Sequence, residues 1–377
     1  MGSEFLLYGY GFVCLSMLLF NIVYNALMKG SQRRLERRSG RMEAQVEAQL
    51  RRLRAGEPLE KSHMARLQRK LSRVGNLIAF DRTMKRQLKD GEDPAVEQYL
   101  RQFQPVILHL GLVYRRRESL QAAYFAYFLA KHKLKRRMPM DAMQEIMVDY
   151  MKKDSLYCRI NALEALYTFG NAEKVAEAVA LQDQSGSFLH EKVLTDGLLS
   201  FQGDHRELIR LLWDQLDRFT ERTQRAILDY IRFQTGDYCP EMLRLMEDPK
   251  AGKELRLSAI RYFGRYHYEP ARPALLSFAS DPDPEQWEYA AVSVSVLAGY
   301  PGEDVDRVLM EAMHSGNWHV RYNAAVSLEA RDLDYSALIE VVGGRDRYAR
   351  EMMMYRLETK QIEAEDERRE APCETSC

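Results

Sequence analysis

The eight histidines, at positions 63, 109, 132, 190, 205, 267, 314 and 319, come first in a search for chemistry. An imidazole that titrates near neutrality serves acid–base catalysis and metal binding alike. Only His314 and His319 lie close together, and their i, i+5 separation does not share a helical face. No HExxH pair, phosphate-binding glycine loop, GxGxxG turn or GxSxG elbow occurs. Asp204-His205-Arg206 and His190-Glu191 do place an acid beside an imidazole. Each stands where a turn enters a helix, so a capping aspartate and solvated histidines are the ordinary explanation. Cys14, Cys158, Cys239, Cys373 and Cys377 show neither a CxxC spacing nor a disulfide framework. Cys373 and Cys377 read as two solvated thiols on a polar tail, and the terminus is not a prenylation box because four residues follow Cys373. No catalytic, cofactor or metal site is expected.

What organises the chain instead is a period. Leu166, Leu198, Tyr230, Phe263, Val294 and Leu328 are 32, 32, 33, 31 and 34 residues apart. Four residues before each stand Ala162, Leu194, Ala226, Ala259, Ala290 and Ala324. Such self-similarity predicts stacked helical hairpins, in which each unit buries its apolar face only against its neighbours. Small residues let adjacent helices approach, and the large residue one turn later fills the space between layers. Gly170-Asn171, Gly203-Asp204 and Gly236-Asp237 mark the intervening turns, with glycine expected in the left-handed conformation that ends a helix. Gly316-Asn317-Trp318 reads as a turn before the last unit, with Trp318 packing between layers.

The clearest unit is Val320-Arg321-Tyr322-Asn323-Ala324-Ala325-Val326-Ser327-Leu328. Arg159-Ile160-Asn161-Ala162-Leu163, Arg256-Leu257-Ser258-Ala259-Ile260 and Tyr289-Ala290-Ala291-Val292 follow the same pattern. The motif resembles the core of a HEAT repeat of the short type found in phycobilin-lyase-like proteins. That resemblance implies a right-handed all-α solenoid that binds proteins along one surface. Two enzyme classes use such repeats: phycobilin lyases, which attach or isomerise bilins, and a HEAT-like family of DNA glycosylases. For either activity the warrant is analogy of fold alone. The ankyrin TPLH signature and the TPR Trp-Leu-Gly-Tyr pattern are absent.

Residues 5–28 carry no charge and form a 24-residue apolar run. At 1.5 Å per residue this makes a helix of about 36 Å, enough to cross a ~30 Å hydrocarbon core with some tilt. Lys29, Arg33, Arg34, Arg37, Arg38 and Arg41 follow, whereas residues 1–4 hold no Lys or Arg. The positive-inside rule then places the amino terminus outside and the long remainder in the cytoplasm. A cleaved signal peptide would need a basic leader and a shorter apolar core. Within the run, Gly11, Cys14, Leu18, Asn21 and Asn25 share a stripe suited to helix association.

Net charge is zero, but it is unevenly distributed. Residues 29–153 hold 29 Lys and Arg against 14 Asp and Glu, and residues 154–377 hold 26 against 40. An acidic array favours a basic protein partner. In residues 29–54, nine cations combine with Leu35, Met42, Val46, Leu50 and Leu53 at helical spacing, the pattern of a basic amphipathic helix on anionic lipid. A second helix is expected over residues 59–89. Nucleic acid is the rival reading, through Arg115-Arg116-Arg117, residues 131–137 and the aromatics Tyr114, Tyr124, Phe125, Tyr127 and Phe128.

The expected organisation is residues 1–4 outside, a transmembrane helix at 5–28, basic juxtamembrane helices at 29–92 and an irregular helical cap at 93–154. HEAT-like repeats follow at 155–357, then a charged, disordered tail at 358–377. The expected role is a membrane-anchored scaffold at the plasma membrane, for example an accessory subunit of an envelope polysaccharide glycosyltransferase. Replacing Asn21 and Asn25 by leucine is expected to abolish detergent-resistant self-association of the span, measured by crosslinking and gel migration.

Overall fold

The computed structural model describes residues 2–87, 93–132, 141–331 and 335–370, and every strand-length element among them is helical. The chain divides into two compact units: residues up to Leu189 with Ser200–Leu211, and His190–Leu199 with the residues from Leu212 onward.

The first unit contains α1 (Gly2–Arg54), α2 (His63–Leu71), α3 (Val74–Gln87), α4 (Pro94–Arg115), α5 (Ser119–His132), α6 (Asp141–Tyr150), α7 (Leu156–Phe169) and α8 (Ala172–Gln184). Helices alternate between two layers. In one, α1 packs on α3, α3 on α5 and α5 on α7; in the other, α2 packs on α4, α4 on α6 and α6 on α8. Stacking therefore begins well before residue 155, and residues 93–154 continue it instead of forming an irregular cap. Where α4 crosses α6, Gly111 leaves room for Met143 and Ile146, and its carbonyl accepts from the Tyr150 hydroxyl at 2.9 Å.

α1 is a single helix of 53 residues, so the apolar run and the basic connector share one axis. No proline interrupts it, and the first breaker is Gly56, at φ 77°. Every side chain from Tyr8 to Met28 is exposed, whereas Ser39, Met42, Val46, Gln49, Leu50 and Leu53 are buried, against α3 and α4. This corrects the picture of a helix lying on lipid: from Met42 onward the apolar stripe is protein core, and Leu35 is half-buried.

The single helix expected over 59–89 is instead α2 and α3. The break at Ser72–Arg73 frees carbonyls that find other donors, Tyr114 Oη to Leu71 O at 2.7 Å and Asn76 Nδ2 to Lys70 O at 2.8 Å. A buried donor in the right place makes such a break tolerable.

The second unit contains α9 (Glu191–Leu199), the end of α10 (His205–Trp213), α11 (Glu221–Gln234), α12 (Cys239–Glu247), α13 (Lys253–Phe263), α14 (Arg272–Ala279), α15 (Trp287–Leu297), α16 (Glu303–Ala312), α17 (Trp318–Ala330), α18 (Tyr335–Val342) and α19 (Arg347–Glu370). The odd-numbered helices α9 to α19 pack each on the next, while in the other layer α14 and α16 approach most closely. The repeat residues Ala162, Leu166, Leu198, Ala226, Tyr230, Ala259, Phe263, Ala290, Val294, Ala324 and Leu328 are all buried.

Polar groups at fixed repeat positions fasten the layers. Arg159, Arg256, Arg321 and Arg350 each donate to a backbone carbonyl before their own helix: Lys153, Met246, Ser315 and Gly344. Asn161 and Asn323 occupy equivalent positions and donate to Ala123 O and Ala291 O of the preceding layer, at 3.2 and 2.8 Å. Tyr262 and Tyr300 reach back in the same way, accepting from the N–H groups of Tyr238 and Tyr268. The arginine bonds to Lys153, Ser315 and Gly344 and the N–H bonds to the tyrosines satisfy backbone groups outside the α-helices, while the asparagines tie one layer to a helix of the layer before.

Two expectations about turns and termini change. Gly170 does take the left-handed conformation, at φ 64°, but Gly203 and Gly236 do not. They are glycine because a side chain at Gly203 would strike the Gly170 carbonyl and one at Gly236 the Tyr266 ring. The tail expected from 358 is helical to Glu370 as part of α19. Its charged residues are mostly good helix formers, with no glycine or proline among them. Cys373 and Cys377 lie outside the described residues.

One buried ionic cluster ties α3 to α5. The Asp81 carboxylate accepts from Lys131 Nζ at 2.9 Å and Tyr124 Oη at 3.0 Å, and lies 2.6 Å from His132 Nε2. Burial alone would raise its pKa, but the bonds from His132 and Lys131 prevail and hold it at about 2. A carboxyl lowered from an ordinary value near 4 stabilises the fold above pH 4 and loses that contribution as pH falls toward 2, about 2 kcal/mol in all. Asp81→Asn, which leaves the Lys131 and His132 donors facing a neutral amide, should destabilise the full chain at pH 7 by about 3 kcal/mol. In circular-dichroism melts the gap between the two proteins should close as pH is lowered from 4 to 2.

Candidate functional site

The side chains whose types could do chemistry have partners within the fold. Asp204 Oδ1 accepts from the Arg206 N–H at 2.9 Å, and His205 sits edge-on to Phe201. His190 Nδ1 accepts from the Lys192 N–H. Buried His63 meets the Tyr99 hydroxyl at 3.0 Å, and its burial lowers its pKa. His314 pairs with Asp346 at 2.9 Å and His319 stacks on Trp287. Among the described residues no three His, Cys, Asp or Glu side chains converge as a metal site.

The nucleic-acid constellation is likewise dispersed. Tyr114, Phe125 and Phe128 are fully buried, Tyr124 is bonded to Asp81, and Tyr127 alone of the five is exposed. Arg115 pairs with Asp149 and Lys131 with Asp81, while Arg116 and Arg117 stay exposed. Residues 133–137 lie outside the described residues.

Among the described residues, three exposed surfaces bear on binding. The first is the bare part of α1. Gly11, Cys14, Leu18, Asn21 and Asn25 are exposed there, and no atom of the chain lies within 4 Å of a Cβ built on Gly11. The second is the cationic continuation of the same helix, where Lys29, Arg33, Arg34, Arg37, Arg38 and Arg41 are all exposed.

The third surface went unrecognised in the sequence. On α17 and α19 an open groove of about 580 Å³ is lined by Trp318, Arg321, Tyr322, Tyr348, Met352 and Tyr355. Trp318 does not pack between layers as expected. It is the first residue of α17, held by the Asn317 cap that accepts from the His319 N–H, and its ring points outward, 51% exposed. It stacks on Tyr322 at 5.0 Å and 13°. Guanidinium groups already lie over two rings, Arg321 over Tyr348 and Arg356 over Tyr322. Exposed Trp and Tyr faces beside arginines match the composition of interface anchors, and such faces take further cations readily. A hint was present in the sequence: Tyr348 and Tyr355 are seven apart, on one face of a helix.

A neighbouring cleft of about 520 Å³ brings Trp287 together with Asp281, Asp283 and Glu311. Asp281 and Asp283 already cap N–H groups of Asp283 and Glu285, which leaves Glu311 as the carboxylate outside those turns.

Thiol chemistry follows the same division. Cys158 is buried and its thiol is pushed up to about 11; Cys239 is buried and raised too, while Cys14 is exposed. A raised thiol is mostly protonated at neutral pH and unreactive. In detergent at pH 7.5, maleimide should leave Cys158 and Cys239 untouched until denaturant is added, as read by peptide mass spectrometry.

No family model matches the chain, and no curated protein matches it. Among solved structures a designed armadillo repeat protein is similar at 15% identity and a TM-score of 0.25, over 60% of this chain and 99% of that one. A likeness at that score carries no argument, so the helical-repeat architecture rests on the stacking described above.

Proposed function

We propose that this protein is a membrane-anchored, non-catalytic scaffold whose HEAT-like repeats hold a basic protein partner at the cytoplasmic face of the plasma membrane. One observation carries the reading: the apolar run is bare from Tyr8 to Met28 while the helix that contains it enters the repeat core. Fourteen large apolar side chains between Tyr8 and Met28 are exposed. At roughly 1.5–3 kcal/mol apiece, moving them from water into hydrocarbon is strongly favourable, and the run has the length and hydropathy to cross a bilayer. The cation-rich flank is then the cytoplasmic one.

The groove on α17 and α19 supports a protein partner, since its exposed aromatic faces suit cationic side chains and residues 154–377 hold 40 Asp and Glu against 26 Lys and Arg. The occupied histidines and buried thiols favour binding over catalysis, and the bilin-lyase and glycosylase readings gain no residues.

Removal of residues 2–28 should move the protein from the membrane pellet to the soluble fraction with its helical content retained. Crosslinking in intact cells should capture one recurring basic protein on the full chain. Trp318→Ala with Tyr355→Ala should reduce that capture at least about tenfold, as expected for two interface anchors, without lowering the melting temperature. A full-length chain in the soluble fraction, or capture indifferent to both substitutions, would overturn the proposal.

A further inference from the structure

The two faces of α1 beyond the apolar run point in different directions. Taking about 100° per residue, Lys29, Arg33, Arg34, Arg37, Arg38 and Arg41 cover half the circumference of the helix. Ser39, Met42, Val46, Gln49, Leu50 and Leu53, which face the core, centre roughly 160° away. The cations therefore face away from the packed body of the first unit, and Glu36 is the one acidic residue from 29 to 41.

This surface is continuous with the apolar run and leaves no room for insertion, because its own apolar stripe is already core. Lys29, Arg33 and Arg34 lie within about 8 Å of the end of the run, the reach of unscreened charge at physiological salt. Arg37 and Arg41 lie about 12 and 18 Å beyond Lys29 in an upright helix, too far to sense phosphate. A lean toward the cationic side shortens that distance for both, and it lifts the core side away from the bilayer. A lean the other way would press the packed body against the membrane.

We infer that Lys29, Arg33, Arg34, Arg37 and Arg41 form a binding face for acidic phospholipid headgroups, which tips α1 toward its cationic side and holds the first unit clear of the membrane. The inference rests on the membrane-anchor reading and adds the lipid class and the direction of lean. Arg38 is set apart, since its guanidinium lies over Gly75 of α3 and serves packing.

The test uses the full chain in nanodiscs of POPC and POPG at four to one, with the lipids retained on release read by native mass spectrometry. The wild type should keep POPG over POPC by at least about tenfold relative to the bulk mixture, given the number of cations near the surface. A variant carrying Lys29→Gln, Arg33→Gln, Arg34→Gln, Arg37→Gln and Arg41→Gln should lose the preference. Arg51→Gln with Arg52→Gln, farther along the same helix, should keep it. Equal retention of both lipids by the wild type, or an unchanged preference in the five-fold variant, overturns the inference. Alkaline carbonate separates this from failure of the anchor: a chain that resists extraction yet shows no preference removes the lipid face alone, whereas an extracted chain removes both.

Discussion

No hairpin in this protein can bury its apolar side alone, and everything else in the structure follows from that constraint. Ala162, Ala226, Ala259, Ala290 and Ala324 are buried in the stack, small enough to let one helix settle on the next. The large residue a turn later fills the layer between them. Close packing of this kind makes every layer a support for its neighbour and transmits the loss of any one of them. The recurring arginines, asparagines and tyrosines add little apolar area. They satisfy carbonyls and N–H groups that stacking would otherwise strand, so they set the register in which the alanines meet.

The same constraint explains what is exposed. Within each unit most of the large apolar side chains described are inside, and among the exposed ones the run on α1 and the aromatics on α17 and α19 each lie together. The outer part of α1 has no layer to join, and its length suits a bilayer. The groove on α17 and α19 keeps Trp318, Tyr348 and Tyr355 exposed, aromatic faces of the kind that anchor interfaces.

Buried charge is used sparingly. The Asp81 cluster gathers Lys131, His132 and Tyr124 on one carboxylate, with no acceptor capacity left for a substrate. Cations that looked available in the sequence are thereby withdrawn, as Arg115 is by Asp149. Exposed cations line the bare side of α1 beside the apolar run. Local charge density in a sequence and available charge on a surface differ here because partners come from helices some fifty residues away.

The period of the repeats, their helical character and the apolar run were legible because they depend on local spacing: 3.6 residues per turn and one buried face per helix. The alanine register and the absence of a catalytic motif belong to the same class of information. Long-range pairing was not legible. Tyr114, 43 residues from Leu71, accounts for the break between α2 and α3, and Gly203 is glycine because of Gly170. Trp318 was placed in the core from its bulk, yet the turn before α17 directs it outward. The amphipathic stripe of 42–53 looked the same whether lipid or protein covered it, since both offer an apolar environment. Sequence by itself determined that the chain must stack and that one segment does not belong in water. Only the tertiary structure decided which faces the stacking consumes, because burial is a property of what arrives from elsewhere in the chain.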